Sequence, residues 1–406
     1  MSYKIESKEQ LEEFVTHNWN KINQYFDDHY SDIPVPFYNS VDIRESINKF
    51  APVDNNLYPA GFNNICTLDF NITAERIKKE IQKLNPDSKK IALIPESHTK
   101  NLFYLDNLYS LHTLLSKYDF EVDIVSLDEN LFEESDELKL ISKSGHELKI
   151  MKARFEDDIY SKNGKYDLIV LNHDQSSPIE IAWNKIEQKV VPTPMLGWQV
   201  RTKGAHFLYY KIIADKFCEQ FSINPNLLQA KFNVAENINF STKEGLEELA
   251  TSVESIQSEV GSDKKIFIKA NQGTYGMGIM VVNGPEEIFS MNRKKRNKMD
   301  VGKNKIKFTS VIVQEGVDTV LTHDGGPAEI TIYLIGGKPV GGFLRANPLK
   351  DASGNLNARG MVYQKFCISE IHEGFDHKAK EGVYSTIARI STIAAGHEIL
   401  NIQNQD

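Results

Sequence analysis

The chain of 406 residues is short of the features that mark whole classes of protein. Cysteine is scarce: Cys66, Cys218 and Cys367 are widely spaced, odd in number and in no metal-ligand spacing, a pattern that suits a reducing cytoplasm better than a disulfide scaffold. No apolar run approaches the ~20 residues that a membrane span needs. The opening residues, MSYKIESKEQLEEF, are charged and lack the apolar stretch of a signal peptide. Positive charge is in deficit: 47 Lys and Arg against 56 Asp and Glu give a net charge of −9. That balance argues against a nucleic acid or an anionic membrane as partner. Internal repeats and low-complexity tracts are absent as well. What is left, 40% hydrophobic and 25% charged residues, is the composition of an ordinary globular protein. The length suits roughly two to three domains with sizeable cores. We therefore expect a cytoplasmic protein, with self-association left open.

One stretch organises the rest: KIFIKANQGTYGMGIMVV, residues 265–282. The run Ile266-Phe267-Ile268 is β-prone and delivers Lys269 to the edge of a glycine-rich loop. Gly273, Gly276 and Gly278 let the backbone turn tightly and offer bare N–H groups to an anion. Ile279 to Val282 is β-prone again, so the loop closes a hairpin and does not open a helix. This excludes a Walker loop and a dinucleotide fingerprint, both of which lead into a helix. A glycine hairpin beside a strand-borne lysine is a phosphate lid of the ATP-grasp type. The plain alternative is a flexible turn with an incidental lysine.

In chain order, residues 8–26 carry apolar positions at helical spacing, Leu11, Phe14, Val15, Trp19, Ile22 and Phe26. Residues 34–65 are dense in Pro, Asn, Asp and aromatics and read as a long ordered loop. Such a loop is either a structural wrap or a binding segment, with Asp42, Arg44, Asp54, Asn55, Asn56, Asn63 and Asn64 as candidate contacts. From residue 89 the pattern becomes α/β. A buried strand over 90–95 ends in Glu96-Ser97-His98, a helix runs through Leu115, and a strand follows over 121–127. Residues 137–154 read as a hairpin, and 166–171 as another buried strand ending in Asn172-His173-Asp174. Polar clusters at the carboxyl ends of parallel strands face a ligand crevice. Val190-Val191-Pro192-Thr193-Pro194 marks a linker, and the domain boundary is placed at 195. Beyond it come a helix through Phe221, a polar loop and helix over 233–261, and the lysine strand. The basic run Arg293 to Lys298 reads as a solvated connection.

Residues 309–313 form a β-branched strand that ends in Gln314-Glu315-Gly316-Val317, placed to be the hinge beside a purine. Residues 328–342 read as a hairpin turned at Gly336-Gly337. Arg345, then Asn355, Asn357 and Arg359, lie beyond it, and a helix over 382–397 closes the chain.

The segments FIKANQGTYGMGIM, NRKKRNKM, VIVQEGV, IGGKPVGGFLR and NLNARGM resemble the proteobacterial ATP-grasp type of glutamate–cysteine ligase. The likeness continues upstream through VDIRESINKFAPVDNNLYPAGFNN, IPESHTKNLFYLDN, LNHDQSS and LGWQVRTKGAHF, and so covers nearly the whole chain. The resemblance implies a mixed α/β and α+β fold similar to bacterial glutathione synthetase. Residues 1–195 would be an N-terminal parallel-sheet α/β domain, a pre-ATP-grasp domain, and 196–406 an ATP-grasp module. It implies the use of ATP and Mg2+ to join L-glutamate to L-cysteine through an acyl phosphate. Another amino-acid pair, or a silent nucleotide-binding sensor, are the competing readings.

On this reading Lys269 and Arg345 are catalytic. The nucleotide is held by Lys269, by the lid Gly273, Thr274, Tyr275, Gly276, Met277 and Gly278, and by Gln314, Glu315 and Val317, with Glu315 on the ribose. Substrate contacts are expected from Asp42, Arg44, Asn63, Asn64, His98 and Arg201. Arg44 would hold a carboxylate in a fork, and Asp42 or Asp54 an ammonium. The late Glu-x-Asn pair that usually holds magnesium is missing, so Glu329, Asn355 and Asn357 are the expected metal ligands. Lys203, Lys211 and Lys216 are equal candidates for a second nucleotide lysine.

Overall fold

Ser7 opens the first helix, α1 (Lys8–His17), by accepting from the N–H of Gln10, whose side chain reaches back to Ser7. The structure, a computed structural model, describes residues 4–96, 100–132, 135–272, 278–292, 295–296, 299, 308–367 and 379–404. The single helix expected over 8–26 is broken at Asn18, whose side chain donates to the carbonyl of Phe14, and α2 (Trp19–Asp32) follows. An Asn that bonds a nearby carbonyl offers the backbone an alternative to the helical ladder.

The segment expected to be a long loop instead forms two strands, β1 (Tyr38–Glu45) and β2 (Phe50–Asn56). Then come α3 (Phe70–Leu84), β3 (Lys90–Pro95), α4 (Leu102–Leu115), β4 (Glu121–Ser126), and the hairpin β5 (Glu137–Ile141) and β6 (Glu147–Lys152). A small sheet of β7 (Arg154–Phe155), β8 (Ile159–Ser161) and β9 (Gly164–Lys165) precedes β10 (Leu168–Asn172) and β11 (Lys189–Val191). Next are α5 (Lys203–Phe221), β12 (Phe232–Ala235), α6 (Lys243–Val260) and the hairpin β13 (Ile266–Ala270) and β14 (Ile279–Val282). β12 replaces the start of the expected polar loop. The short α7 (Glu286–Phe289), β15 (Val311–Glu315), β16 (Thr322–His323), β17 (Gly326–Ile335), β18 (Lys338–Ala346), β19 (Val362–Phe366) and α8 (Ala379–Gln403) complete the order.

Three main sheets result. The N-terminal sheet runs β11-β10-β3-β4-β6-β5, parallel except for β5, and α3 and α4 pack on it. The lysine strand lies in an antiparallel sheet, β12-β15-β13-β14, backed by α6. The third sheet, β19-β18-β17-β1-β2, is antiparallel and crosses the boundary expected at 195, since β1 pairs with β17. This is the relation that the chain order conceals. The β17–β18 turn is at Gly336-Gly337, both with positive φ (53° and 75°), as a primed two-residue turn demands.

Strand alternation then sorts the third sheet into two faces. Val41 and Ile43 of β1 and Ile330, Ile332 and Leu334 of β17 enter one apolar core with α1, α2, α5 and α8. Helix α8 is buried over most of its length because it is sandwiched there, and it carries buried polar side chains such as Arg389 and Glu398; no helix among the described residues is long and apolar enough to cross a membrane. The opposite face of the sheet presents Ser40, Asp42 and Arg44, with Glu329, Thr331 and Tyr333, and Phe343 and Arg345, to a cavity.

Candidate active site

The cavity has a volume of about 870 Å³ and lies among the three sheets. From the lysine sheet it receives Lys269, Gln314 and Glu315; from the loop after β15, Val317; and from the N-terminal sheet's strand ends, Glu96, Asn172 and Asp174. Lys269 is almost wholly buried, contrary to a position at an open loop edge. Its Nζ donates to the carbonyl of Val53 and to Oε1 of Gln314, both at 2.8 Å. Burial first, then the neighbouring charges of Lys203 and Arg44, lowers its pKa to about 7, with Asp54 and Glu329 opposing. Gln314 is thereby oriented, and its Nε2 is buried without a partner among the described residues.

Of the three candidates for a second cation, Lys203 is the one lining the cavity; Lys211 is tied on the surface to Asp215. The reason is local. Thr202 caps α5, and Asn271, two residues after Lys269, fixes the helix start by accepting from the N–H groups of Lys203 and Gly204. Lys203 Nζ pairs with Asp54 and sits 4.5 Å from the centre of the Trp198 ring. Burial would raise Asp54, but Lys203, with Lys269 and Arg201, outweighs it and holds the carboxyl below its usual range.

Arg345 and Glu329 form the opposite wall. Arg345 Nη1 donates to Oδ2 of Asp42 at 2.7 Å and to Oε1 of Glu329 at 2.8 Å, while its Nε has no partner among the described residues. Glu329 Oε2 is taken by Nε of Arg44 at 2.8 Å. Burial would raise Glu329, and the two arginines overcome it and lower it. Asp42 goes the other way: burial raises it, and Glu329 and Asp54 add to the rise against Arg345.

The expected site residues are thus largely brought together: Asp42, Arg44, Asn63, Asn64, Lys269, Gln314, Glu315, Val317, Glu329, Arg345, Asn355 and Asn357 all line one cavity. Three of them are engaged differently from expectation. Arg44 offers no free fork, because its remaining N–H groups reach the carbonyls of Val317 and Gly354. Glu315 is gripped by Lys49, whose Nζ lies 2.8 Å from both carboxylate oxygens. Glu329 has an arginine on each oxygen. Arg201 is not at the cavity: it donates to Asn55 and, with His206, to the buried Glu398 of α8, bracing β2 from behind. Gly278 has φ of 65° and accepts from the N–H of Ala270, closing the hairpin. Gly273, Thr274, Tyr275, Gly276, Met277 and His98 lie outside the described residues.

Residues that the sequence reading left unassigned include Lys49, Thr331, Tyr333 and Tyr363. The alternation Ser40-Val41-Asp42-Ile43-Arg44 was the available signal for β1, and its extension through Glu329-Ile330-Thr331-Ile332-Tyr333 would have found two of them.

A buried lysine sheet facing an arginine-bearing antiparallel sheet across a cavity, with a parallel α/β sheet at its mouth, is the architecture of an ATP-grasp ligase. The family model described as glutamate-cysteine ligase matches residues 12–399, and the chain belongs to that family. It is an ATP-dependent ligase. A solved protein from Methylobacillus flagellatus, provisionally assigned as a gamma-glutamylcysteine synthetase, superposes with a TM-score of 0.87 at 31% identity, over 98% of this chain and 96% of that one. Two looser likenesses carry no argument: D-alanyl-alanine synthetase A from Vibrio cholerae (TM-score 0.35, 12% identity, 74% and 81% of the two chains) and a glutathione synthetase-like effector from Globodera pallida (0.41, 10%, 87% and 83%). No curated protein matches the chain.

Proposed function

We propose that the protein uses ATP to join the γ-carboxylate of L-glutamate to the amine of L-cysteine, in the cytoplasm, through an acyl phosphate. The observation that carries this reading is the set of three buried cations, Lys203, Lys269 and Arg345, facing one cavity. A carboxylate is a poor acyl donor, so its oxygen must first become a leaving group. Transfer of the γ-phosphoryl group to the carboxylate gives ADP and an acyl phosphate. The amine then attacks the carbonyl carbon, and inorganic phosphate leaves with the electron pair of the C–O bond.

Side chains contribute position and charge to this sequence, and no covalent step. Lys269 and Lys203 neutralise the nucleotide phosphates. Arg345, held by Asp42 and Glu329, supplies its positive charge beside the transferring group or the acyl oxyanion. Asp42 or Asp54 takes the α-ammonium of glutamate, while the amine of cysteine must lose a proton before it attacks. Glutamate selectivity is assigned to the Asp42–Asn64 stretch and the strand ends of the N-terminal sheet, which meet in the cavity.

Magnesium is a hard cation that takes oxygen donors in near-octahedral order. Asn355 and Asn357 line the cavity, but both oxygens of Glu329 are bound by arginines. The expected trio does not fit a magnesium site as it stands. The decisive experiment is ADP release with glutamate plus cysteine, against each alone and against other acid–amine pairs. A pair that stimulates ADP release more than glutamate and cysteine would displace this reading.

A further inference from the structure

The cavity extends from the phosphate-binding cations to a lobe that the reaction described so far does not use. Its walls are the start of α4, with Phe103, Asp106 and Asn107, and the tip of the β5–β6 hairpin, with Lys143 and Ser144. The tip lies past the last pair of its ladder, Ile141 with Glu147, and is held as a fixed platform. Its own backbone closes it: Ser142 donates to the carbonyl of His146, and Gly145, with φ of 86°, donates to that of Ser142. Helix α4 then holds it from below. The N–H of Lys143 donates to the carbonyl of Leu102, and the N–H and hydroxyl of Ser144 donate to the two oxygens of the buried Asp106, at 3.1 Å each. Nearby, the rings of His146 and Tyr109 stack with centres 3.9 Å apart. The ladder is complete without these contacts; their effect is to fix the backbone of Lys143 at the cavity mouth.

A chain of contacts leads from this platform to Arg345. Asp106 adjoins Asn107, whose Oδ1 accepts from the N–H groups of Gly61 and Phe62. The carbonyl of Ala60 accepts from the hydroxyl of Tyr333, and Tyr333 packs on Phe343, two residues before Arg345. Five cations line the cavity, and protein groups already occupy four of them. Arg44 and Arg345 share Glu329, Lys203 pairs with Asp54, and Lys269 donates to Val53 and Gln314. The fifth is Lys143. Its Nζ has no hydrogen bond or ion pair among the described residues and sits 6.0 Å from the centre of the exposed Phe103 ring. A cation held in place beside a cavity complements an anionic group of the ligand.

We propose that Lys143 binds the α-carboxylate of the acceptor amino acid, with Asp106 and Ser144 as positioning residues that hold its backbone. The inference rests on the ligase reading above and supplies a cation for the acceptor, which that reading lacks. Glutamate is placed by its ammonium at Asp42 or Asp54, beside Arg345 and Lys203, so both its ends stay near the phosphates. The acceptor amine must reach the acyl carbon from the side free of phosphates, which leaves its carboxylate toward the α4 lobe. Lysine suits that task. Its compact charge on a flexible stem can follow the carboxylate, while the platform fixes only the backbone.

The test pairs a side-chain change with a substrate change. ADP release is measured with glutamate plus L-cysteine, and with glutamate plus L-cysteinamide, whose neutral amide keeps the shape and the thiol. Lys143→Met should lower kcat/KM for cysteine about five- to thirtyfold, mainly through KM. It should leave kcat/KM for cysteinamide, and the KM of glutamate and of ATP, within about twofold of the parent. Lys143→Arg, which keeps the charge, should retain most of the cysteine value. Added salt should raise the cysteine KM of the parent more than that of Lys143→Met, because the contact lies at the solvent-facing mouth. A purely structural role for the tip would lower both acceptors alike, and that result would overturn the proposal. So would an unchanged kcat/KM for cysteine in a folded Lys143→Met, or a rise in the glutamate KM in place of the cysteine KM. A parent that releases no ADP with glutamate and any amino-acid acceptor would sink the ligase reading and the subsite with it. An active parent with an indifferent variant would sink the subsite alone.

Discussion

Glu329 and Arg345 stand directly opposite each other on β17 and β18, with Nη1 of Arg345 2.8 Å from Oε1 of Glu329. Because Arg44 of β1 takes the other oxygen, one carboxylate ties three neighbouring strands on the cavity side of the sheet. A buried carboxylate between two guanidiniums is a structural clamp for the arginines that need positioning. That assignment departs from the metal role the sequence had suggested.

Glu329→Gln should therefore act first on stability. It leaves two buried guanidiniums short of one negative charge, a loss of about 3 kcal/mol or more. Denaturant unfolding should show it, while the magnesium concentration for half-maximal activity in the residual folded enzyme stays as in the parent. A raised magnesium requirement with unchanged stability would restore Glu329 as a metal ligand.

Lys269→Met keeps the buried stem and removes the ammonium. Loss of a phosphate contact maintained through the reaction should lower kcat/KM by ~10²-fold or more. Circular dichroism should report an intact fold. Near-normal turnover in a folded variant would place the nucleotide elsewhere.

The same lysine makes nucleotide binding depend on pH. Its pKa in the empty site is lowered to about 7, so the empty protein loses this charge as pH rises through that value. A bound phosphate favours the charged form and restores it. Binding of a non-hydrolysable ATP analogue should take up protons, and weaken, from roughly pH 7 to 9. Calorimetry in two buffers of different ionisation enthalpy measures the uptake. No net proton uptake at about pH 8 would mean that Lys269 stays charged in the empty site.

Glu398 offers an acid-side counterpart. Burial would raise it, but Arg201 and His206 hold it at about 2. A carboxylate with a depressed folded pKa contributes stability that is present above its ordinary value of 4.5 and lost as pH falls toward 2. Glu398→Gln should lower Tm near neutral pH, and the gap to the parent should narrow below about pH 4.5. A gap that stays constant across that range would mean the ion pair with Arg201 contributes nothing measurable.

The local elements were legible in the sequence. The lysine strand and its returning partner, the parallel-sheet strands 90–95 and 121–126, helix α5 and the Gly336-Gly337 hairpin each carry their own periodicity or turn chemistry, and short-range physics decides them. The family was legible too, because long motifs persist over most of the chain. Other features depended on tertiary structure. β1 and β2 read as a loop because their polar residues face a cavity, so side chains that look solvent-bound are buried. Arg44 and Glu329 were read as free ligands because a sequence shows which charges exist and gives no account of which are already neutralised. A disulfide joins Cys66 to Cys367 across 301 residues, against the sequence expectation of no disulfide framework, and across that separation spacing says nothing. Pairings between distant strands bring those groups together, and only the folded chain determines which partner each one meets.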